Sequence, residues 1–347
     1  MARRAVRKPV GFAILGAGTA ADYHRQAVAA NSDVGARLAA VGHHDPHRFG
    51  EIGSRFGVPC RSYEAILADP AVDVVCVCTP SGQHADQAVA AAQAGKHVLV
   101  EKPMALRLDE ADRVIAACDD AGVRLGVMLQ RRAEPQFQRI RQAIQAGDLG
   151  RLTLGGVTMA YHRPQAYYDQ AGWRGTWALD GGGVLMNQGI HLVDLLLWYM
   201  GDPVETRAQA GTLARNMEVE DTLTATLRFA SGALGTITAT TTAAPGFPHR
   251  VEIYGTEGGI QLEGERVRRW SLSNRDPAEV YGLHADTDPN IGPGSDPKGI
   301  APTGHIAILR DYVLALHTGH ELCVDGAEGR RSLACVLDIY RAAGLGR

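Results

Sequence analysis

The sequence predicts a chain of two parts, α/β followed by α+β: a doubly wound parallel sheet, then an open antiparallel sheet with helices. Three observations carry this. Over the first 130 residues, short wholly apolar runs alternate with helical segments. Beyond them, strand-like stretches alternate polar and apolar residues, the pattern of a sheet with one wet face. The length, 347 residues, suits two domains. They are expected at 1–130 and 131–347, with the C-terminal helices able to pack back on the first.

Each element follows from local chemistry. Residues 10–15 (VGFAIL) read as a buried strand, followed by the glycine turn GAGTAA and a helix. Residues 38–41 form a second strand, and Asp45-Pro46 opens a helix with Asp45 as N-cap and Pro46 at N1. A strand at 73–78, an Ala-rich helix at 83–94 closed by Gly95, a strand at 97–100, a helix at 108–121 closed by Gly122 and a strand at 125–129 complete the alternation. Continuous apolar strands between helices imply a parallel sheet covered on both faces. After a helix near 135–146, strands are expected at 152–161, 222–229, 233–242, 250–254 and 259–262, with Ser231-Gly232 as a hairpin turn. One long apolar helix, 184–200, interrupts them. Residues 274–303, rich in Pro, Gly and Asp, read as a long loop, and helices follow at 305–317 and 327–343.

Composition narrows the class. With 35 basic and 38 acidic residues, formal charge is −3, which argues against a generic nucleic-acid binder. No apolar run reaches the roughly 18 residues of a membrane span. The start, MARRAVRKPV, lacks the apolar core of a secretory signal; Arg3, Arg4, Arg7 and Lys8 are expected in a mobile tail. Cys60, Cys76, Cys78, Cys118, Cys323 and Cys335 show no metal or disulfide spacing, so free thiols in a reducing cytoplasm are expected. The 41 glycines exceed the usual share and call for local explanations.

The first motif is Gly16-Ala17-Gly18-Thr19-Ala20-Ala21, between the first strand and first helix. It fits G-x-G-x-x-A, the fingerprint of a Rossmann dinucleotide-binding unit. Gly16 permits the tight turn, Gly18 lets backbone approach a pyrophosphate, and Thr19 and Ala20 stand at the helix N-terminus. An acid is expected after the second strand to hold the ribose of NAD, but His43 and His44 stand there. His43 suits a ribose hydroxyl or, if protonated, a 2′-phosphate. NAD is expected, with NADP left open. The trio His43, His44 and His47 lies where the adenosine belongs, so no metal is expected.

Two further segments end parallel strands: Thr79, Pro80 and His84 after the third long strand, and Glu101, Lys102 and Pro103 after the fourth. Doubly wound sheets place ligands at such ends. A lysine fixed between a buried strand and a proline suits polarising a hydroxyl or moving its proton. In the second part, Trp173 and Arg174 precede a glycine run at 181–183. On the apolar helix, Asn187, His191 and Asp194 fall at i, i+4 and i+7, a polar stripe on one face.

These residues resemble the Gfo/Idh/MocA family of oxidoreductases (glucose–fructose oxidoreductase and inositol dehydrogenase). The resemblance rests on GAGTAA, TPSGQHADQAVAAAQAGKHVLVEKPMAL and the Asn187…His191…Asp194 helix. The segment RPQAYYDQAGWRGTWALDGGGVLMNQGIHLVDLLLW, with ARNMEVEDT and FASGALGTI, is similar to the UDP-N-acetylglucosaminuronate 3-dehydrogenase branch.

The resemblance implies Lys102 as catalytic lysine, His191 as general acid/base and Asn187 where many members carry aspartate. It implies cofactor contacts at Gly16, Gly18, Thr19, Ala20, His43, His44, Thr79, Pro80, His84, Glu101, Lys102, Gln130, Trp173 and Arg174. Substrate contacts are implied at Lys102, Arg131, Tyr161, Trp173, Asn187 and His191. A cis peptide at Lys102-Pro103 and a homodimer or homotetramer are implied too.

The expected activity is oxidation of a pyranose hydroxyl, at C3, on a nucleotide-linked or glycosidically linked sugar. The 271–305 loop holds five acids (Asp276, Glu279, Asp286, Asp288, Asp296) against Arg275 and Lys298, while 131–180 holds seven Arg against four acids. The acidic loop, with an Ala- and Arg-rich composition like that of high-GC bacteria, keeps open an aminoglycoside or other secondary-metabolite sugar whose ketone feeds a transamination. A glycoside-cleaving redox enzyme and a non-catalytic dinucleotide sensor are the remaining alternatives.

Overall fold

The computed structural model describes residues 9–282, 284–286 and 302–346. In chain order its elements are β1 (Val10–Leu15), α1 (Thr19–Ala30), β2 (Ala36–Gly42), α2 (Phe49–Phe56), β3 (Cys60–Arg61), α3 (Tyr63–Leu67), β4 (Val74–Val77), α4 (His84–Gln93), β5 (His97–Val100), α5 (Leu108–Asp120) and β6 (Leu125–Val127). Then come α6 (Pro135–Gln145), β7 (Leu152–Ala160), α7 (Gln165–Asp169), α8 (Ile190–Met200), β8 (Pro203–Gly211), β9 (Thr222–Phe229), β10 (Leu234–Thr240), β11 (Arg250–Gly255), β12 (Gly258–Glu263), β13 (Arg266–Leu272), α9 (Pro277–Tyr281), α10 (Thr303–Thr318) and α11 (Gly326–Ala342). The described residues form two compact units. One takes the chain through Ala133 and a later segment ending at Arg330; the other takes Glu134 onward and Arg331 onward.

In the first unit, six strands lie in the order β3-β2-β1-β4-β5-β6, and every pair is parallel. β1 and β4 are buried along their whole length, as apolar strands covered on both faces must be. The chain starts in the middle of the sheet, winds to the β3 edge, then returns to β4 beside β1. That reversal is the topological switch point, where such sheets bind ligands. Helix ends follow the capping chemistry. The Asp45 side chain accepts from His47 N at 2.9 Å and caps a short 3₁₀ turn, Pro46–Arg48, that leads into α2, and Gly95 and Gly122 take positive φ beyond α4 and α5. The returning segment docks through α10, whose buried Tyr312 hydroxyl meets the carbonyls of Val98 (2.9 Å) and Arg124 (2.8 Å). Gly126 gives its ring room, since a Cβ there would stand 2.8 Å from it.

In the second unit, seven strands lie in the order β13-β12-β11-β7-β10-β9-β8. All pairs are antiparallel except β7·β10, which run parallel from Leu154↔Leu234 to Ala160↔Thr240, so the sheet is mixed. The helices and two strands between β7 and β10 provide a crossover long enough to return a strand in the same direction. The hairpin at Ser231-Gly232 is present, with Gly232 at φ +86°. On β9 and β10, Leu223, Ala225, Leu227, Ile237 and Ala239 are buried, while Thr224, Thr226, Thr236 and Thr238 are exposed. α8 packs close to β7 because Gly155 leaves space that Met200 and Leu196 fill. The sequence reading omits β8 and β13, the two edges. Both are polar and little buried, as edge strands that avoid further pairing are.

The helix expected at 184–200 begins with a π-helical turn, Val184–Gly189, before α8. Within the loop expected at 274–303, α9 is capped by Asp276, and Tyr281 stacks on Trp270 with ring centroids 5.1 Å apart. The basic arm (Arg3, Arg4, Arg7, Lys8) and Asp288, Asp296 and Lys298 of that loop lie outside the described residues. Among the described residues no helix is long and apolar enough to cross a membrane. All six cysteines are free thiols.

Removing the Tyr312 hydroxyl takes that donor from the buried Val98 carbonyl, whereas the Arg124 carbonyl keeps Val98 N at 2.8 Å. Tyr312→Phe is expected to cost about 1–3 kcal/mol of unfolding free energy, read from urea denaturation.

Candidate active site

At the switch point the glycine turn touches the end of β4. Gly16 has φ +101°, and a Cβ on it would stand 2.5 Å from the Cys78 carbonyl oxygen. Gly18, the N-cap of α1, is extended, carries no side-chain cap and has nothing within 4 Å of its Cβ position. Gly18 and Thr19 are exposed, and Ala20 is half-buried. A helix start whose amides have no side-chain acceptor suits a phosphate.

At the end of β2, His43 is buried. The shorter of its two backbone contacts has Asp45 N donating to Nδ1 at 3.1 Å, which places the ring proton on Nε2. Burial lowers its pKa, and the Asp45 carbonyl opposes this without reversing it. Exposed His44 lies beside it, ring centroids 4.4 Å apart, and Arg48 is bonded to Glu51. His43 therefore presents a neutral N–H donor.

The ends of β4 and β5 are tied together. His84 is buried, with one ring nitrogen 2.8 Å from the Thr79 carbonyl and the other 2.8 Å from that of Pro103. Both nitrogens are committed to the protein, so His84 acts on any ligand through the backbone that it holds. Thr79 and Pro80 are half-buried, and the Thr79 hydroxyl donates to Gln87 at 2.7 Å. Glu101 is buried; it accepts from His24 of α1 at 2.9 Å, stands 3.5 Å from His305 of α10, and meets Lys102 N at 3.3 Å. Burial by itself raises its carboxyl pKa, but the two histidine hydrogen bonds outweigh burial and hold it well below the usual range. Glu101 is thus an internal anchor for the half-buried Lys102, and the Lys102-Pro103 bond is cis. In the turn Gln130–Ala133 after β6, Gln130 is buried and its Oε1 meets no donor among the described residues. Arg131 beside it is half-buried, and Arg132 pairs with Glu328.

A dinucleotide fits these residues. The turn has clearance for a pyrophosphate, a neutral donor stands at the ribose corner, and an orphan acceptor follows β6.

In the second unit, Asn187 stands in the π-helical turn, and His191, half-buried, in the first turn of α8. A strict 3.6-residue repeat therefore does not relate them. Asn187 Nδ2 donates to Asp180, which also accepts from Gly175 N at 2.9 Å. Asp194, read in sequence as the third polar residue of the stripe, is buried and accepts from Ser332 Oγ at 2.7 Å; its role is structural.

Sequence reasoning misses the group that holds this helix start. Glu220 accepts from Gly183 N (2.8 Å) and Leu185 N (3.0 Å), and its carbonyl accepts from Val184 N (3.1 Å). The Tyr340 hydroxyl accepts from Met186 N (3.1 Å) and donates to Glu220 (2.8 Å). The glycine run was the one local signal of such a close approach.

Arg174 lies 4.4 Å from the ring centroids of both Trp173 and Tyr167, and donates to the Tyr167 hydroxyl at 2.7 Å. Tyr161 is buried with its hydroxyl 3.0 Å from His249 Nδ1. Two acids of the 271–305 segment have internal partners: Asp276 caps α9, and Asp286 pairs with Arg266 at 2.8 Å.

Comparison with known proteins matches residues 10–129 to the family described as an oxidoreductase family with an NAD-binding Rossmann fold. Residues 137–261 match the GFO/IDH/MocA C-terminal domain. The inositol 2-dehydrogenase of Rhizobium meliloti is 30% identical over 335 residues, 94% of each chain. Among solved structures, the WlbA dehydrogenase of Bordetella pertussis, in complex with NADH and UDP-GlcNAcA, is 35% identical, covers 97% of each chain and superposes with a TM-score of 0.86. The WlbA protein of Chromobacterium violaceum, in complex with the same two molecules, is 32% identical over 98% of this chain and 95% of its own, TM-score 0.86.

The open space at Gly18 separates fold from ligand. Gly18→Ala is expected to leave the melting temperature unchanged while weakening NADH binding about tenfold or more, read by fluorescence titration.

Proposed function

The chain belongs to the GFO/IDH/MocA oxidoreductase family, with an NAD-binding Rossmann domain, and from that premise we propose that it is a sugar dehydrogenase. It oxidises a pyranose ring hydroxyl, at C3, to a ketone on a nucleotide-linked or glycosidically linked sugar. The observation that carries this reading is Lys102, half-buried at the end of β5 next to an anchored Glu101. The likeness to dehydrogenases holding UDP-GlcNAcA, across nearly the whole chain, supports a nucleotide-linked uronate. A second reading, a cyclic polyol, draws support from the inositol 2-dehydrogenase relative. Of the acids behind the aminated-sugar reading, Asp276 and Asp286 have partners within the protein.

In this reading each residue has a defined task. Gly16, Gly18, Thr19 and Ala20 receive the pyrophosphate at the start of α1. His43 donates from Nε2 to a ribose hydroxyl, Gln130 accepts from the carboxamide, and Trp173 with its stacked Arg174 covers the ring. NAD, when bound, supplies the hydride acceptor. Lys102 holds the reacting hydroxyl and draws off its proton as the carbinol carbon gives up hydride. His191 passes that proton to solvent as general base. Asn187, oriented by Asp180, orients the substrate but carries no charge, so the proton path rests on Lys102 and His191. Arg131 and the ring face of Tyr161 bind the rest of the sugar. Two copies pair through the exposed threonine face of β9 and β10.

Lys102→Met is expected to lower kcat by about 10²–10⁴-fold with NAD affinity unchanged; turnover near wild type would remove the lysine from the mechanism. A panel of UDP-N-acetylglucosaminuronic acid, other UDP-sugars and inositols, run with NAD and NADP in parallel, tests the substrate. Reduction of NAD by the UDP-uronate is expected. Turnover of free inositol alone would overturn the nucleotide clause. NAD should be preferred over NADP by about tenfold or more, because a neutral His43 offers a 2′-phosphate no charge.

A further inference from the structure

We propose that Glu220 and Tyr340 are positioning residues: an ionised Glu220, shared with the Tyr340 hydroxyl, holds the first turn of the helix that carries Asn187 and His191. This rests on the catalytic roles proposed above for those two residues.

A helix leaves its first amide groups without internal acceptors. Gly183, Val184, Leu185 and Met186 are the four in question, and Gly183 provides no side-chain cap. Their acceptors come from remote parts of the chain. Glu220 takes three of them, two on its carboxylate and one on its carbonyl, and Tyr340 takes the fourth. The glycines are there to admit these groups. A Cβ on Gly183 would lie 1.7 Å from the Glu220 carbonyl oxygen, and one on Gly182 would lie 2.3 Å from the Tyr340 hydroxyl. The first amide of this segment to bond back to it is that of Asn187, which donates to Gly183 O at 3.0 Å within the π-helical turn. The path of residues 183–187 is therefore set by one carboxylate and one phenol.

Among the described residues no cation pairs with that carboxylate. Tyr340 of α11 touches it, Asp180 belongs to the turn that leads into the helix, and Asp221 follows it in the chain. Glu218, two residues earlier, accepts from Trp177 N. Asp221 is itself occupied by the amides of Leu213, Ala214 and Arg215. Burial pushes the Glu220 carboxyl from 4.5 up to about 7, although its hydrogen bonds from Leu185, Tyr340 and Gly183 favour the charged form. Protonation places a hydrogen on an oxygen toward which a donor already points, so a cap bond is lost. The folded chain holds this proton more tightly than the unfolded chain. The group's contribution to stability is thus full below pH 4.5 and is lost as pH rises through about 7, while the ionised cap forms over the same interval.

Amide hydrogen exchange of residues 183–191 in the full-length protein, from pH 5.5 to 8.5 and corrected for intrinsic rate, tests this without any substrate. Protection is expected to fall as pH rises through about 7 in the wild type, because opening the turn solvates the carboxylate and the closed turn holds its proton more tightly. In Glu220→Gln it should be about tenfold lower and flat with pH, and Tyr340→Phe should lose it at Met186. Wild-type protection that ignores pH, or a Glu220→Gln protein that retains it, would overturn the proposal; if Glu220→Gln does not fold, unchanged exchange at Met186 in Tyr340→Phe would overturn it instead. With a substrate from the panel, Glu220→Gln should lower kcat about tenfold at unchanged KM for NAD and flatten the acid limb of its pH profile, with partial rescue by Glu220→Asp. Altered exchange with kcat and pH profile unmoved would overturn the positioning role. If no sugar is oxidised, the dehydrogenase reading fails while the exchange result still judges the cap.

Discussion

Helix starts organise this molecule, because each leaves amide groups that its own turns cannot satisfy. Two of them begin at glycines without a side-chain cap, and the chain treats them in opposite ways. At Gly18 the space beside the turn is open, so the α1 amides are available to an anionic ligand. At Gly183 the space is filled by Glu220 and Tyr340, and the amides are consumed internally. One glycine-opened helix thus leaves its first amides open, and the other has them satisfied from within the protein. Much of the glycine excess serves such close approaches: Gly16 against Cys78, Gly126 against Tyr312, Gly155 against Met200 and Gly182 against Tyr340.

Buried carboxylates do the matching work in each unit, and their surroundings set their charge differently. Glu101 sits between two histidines and remains ionised despite burial, so the turn holding Lys102 is pinned by charge-assisted hydrogen bonds. Glu220 meets backbone amides and a phenol and, among the described residues, no cation, and its pKa moves the other way. Both carboxylates support residues proposed to act on substrate without being assigned contact with it. A lysine or histidine meant to move a proton needs a fixed place, and these anchors supply it.

The parallel sheet was legible in the sequence because its strands are short, continuous apolar runs between capped helices. The GAGTAA turn was legible because phosphate binding constrains three positions within six residues. Edge strands β8 and β13 were not, since their charged, exposed residues erase the two-residue repeat. The parallel pairing of β7 with β10 was hidden because the intervening chain holds helices and two other strands. Asp194 looked like part of a functional stripe, but its partner, Ser332, is 138 residues away. Glu220 and Tyr340 escaped notice for the same reason: they stand 37 and 154 residues from the amides they satisfy. Local chemistry reads well from a sequence, whereas remote satisfaction of polar groups needs the fold.

The proposed oxidation breaks one bond, the carbon–hydrogen bond at C3 of a pyranose. Incubating the protein with NAD and UDP-N-acetylglucosaminuronic acid deuterated at C3, then measuring the mass of the reduced cofactor, follows that atom directly. Reduced NAD one mass unit heavier and a 3-keto sugar are expected. Reduced NAD without deuterium, or no reduction of NAD at all, would contradict the proposed oxidation.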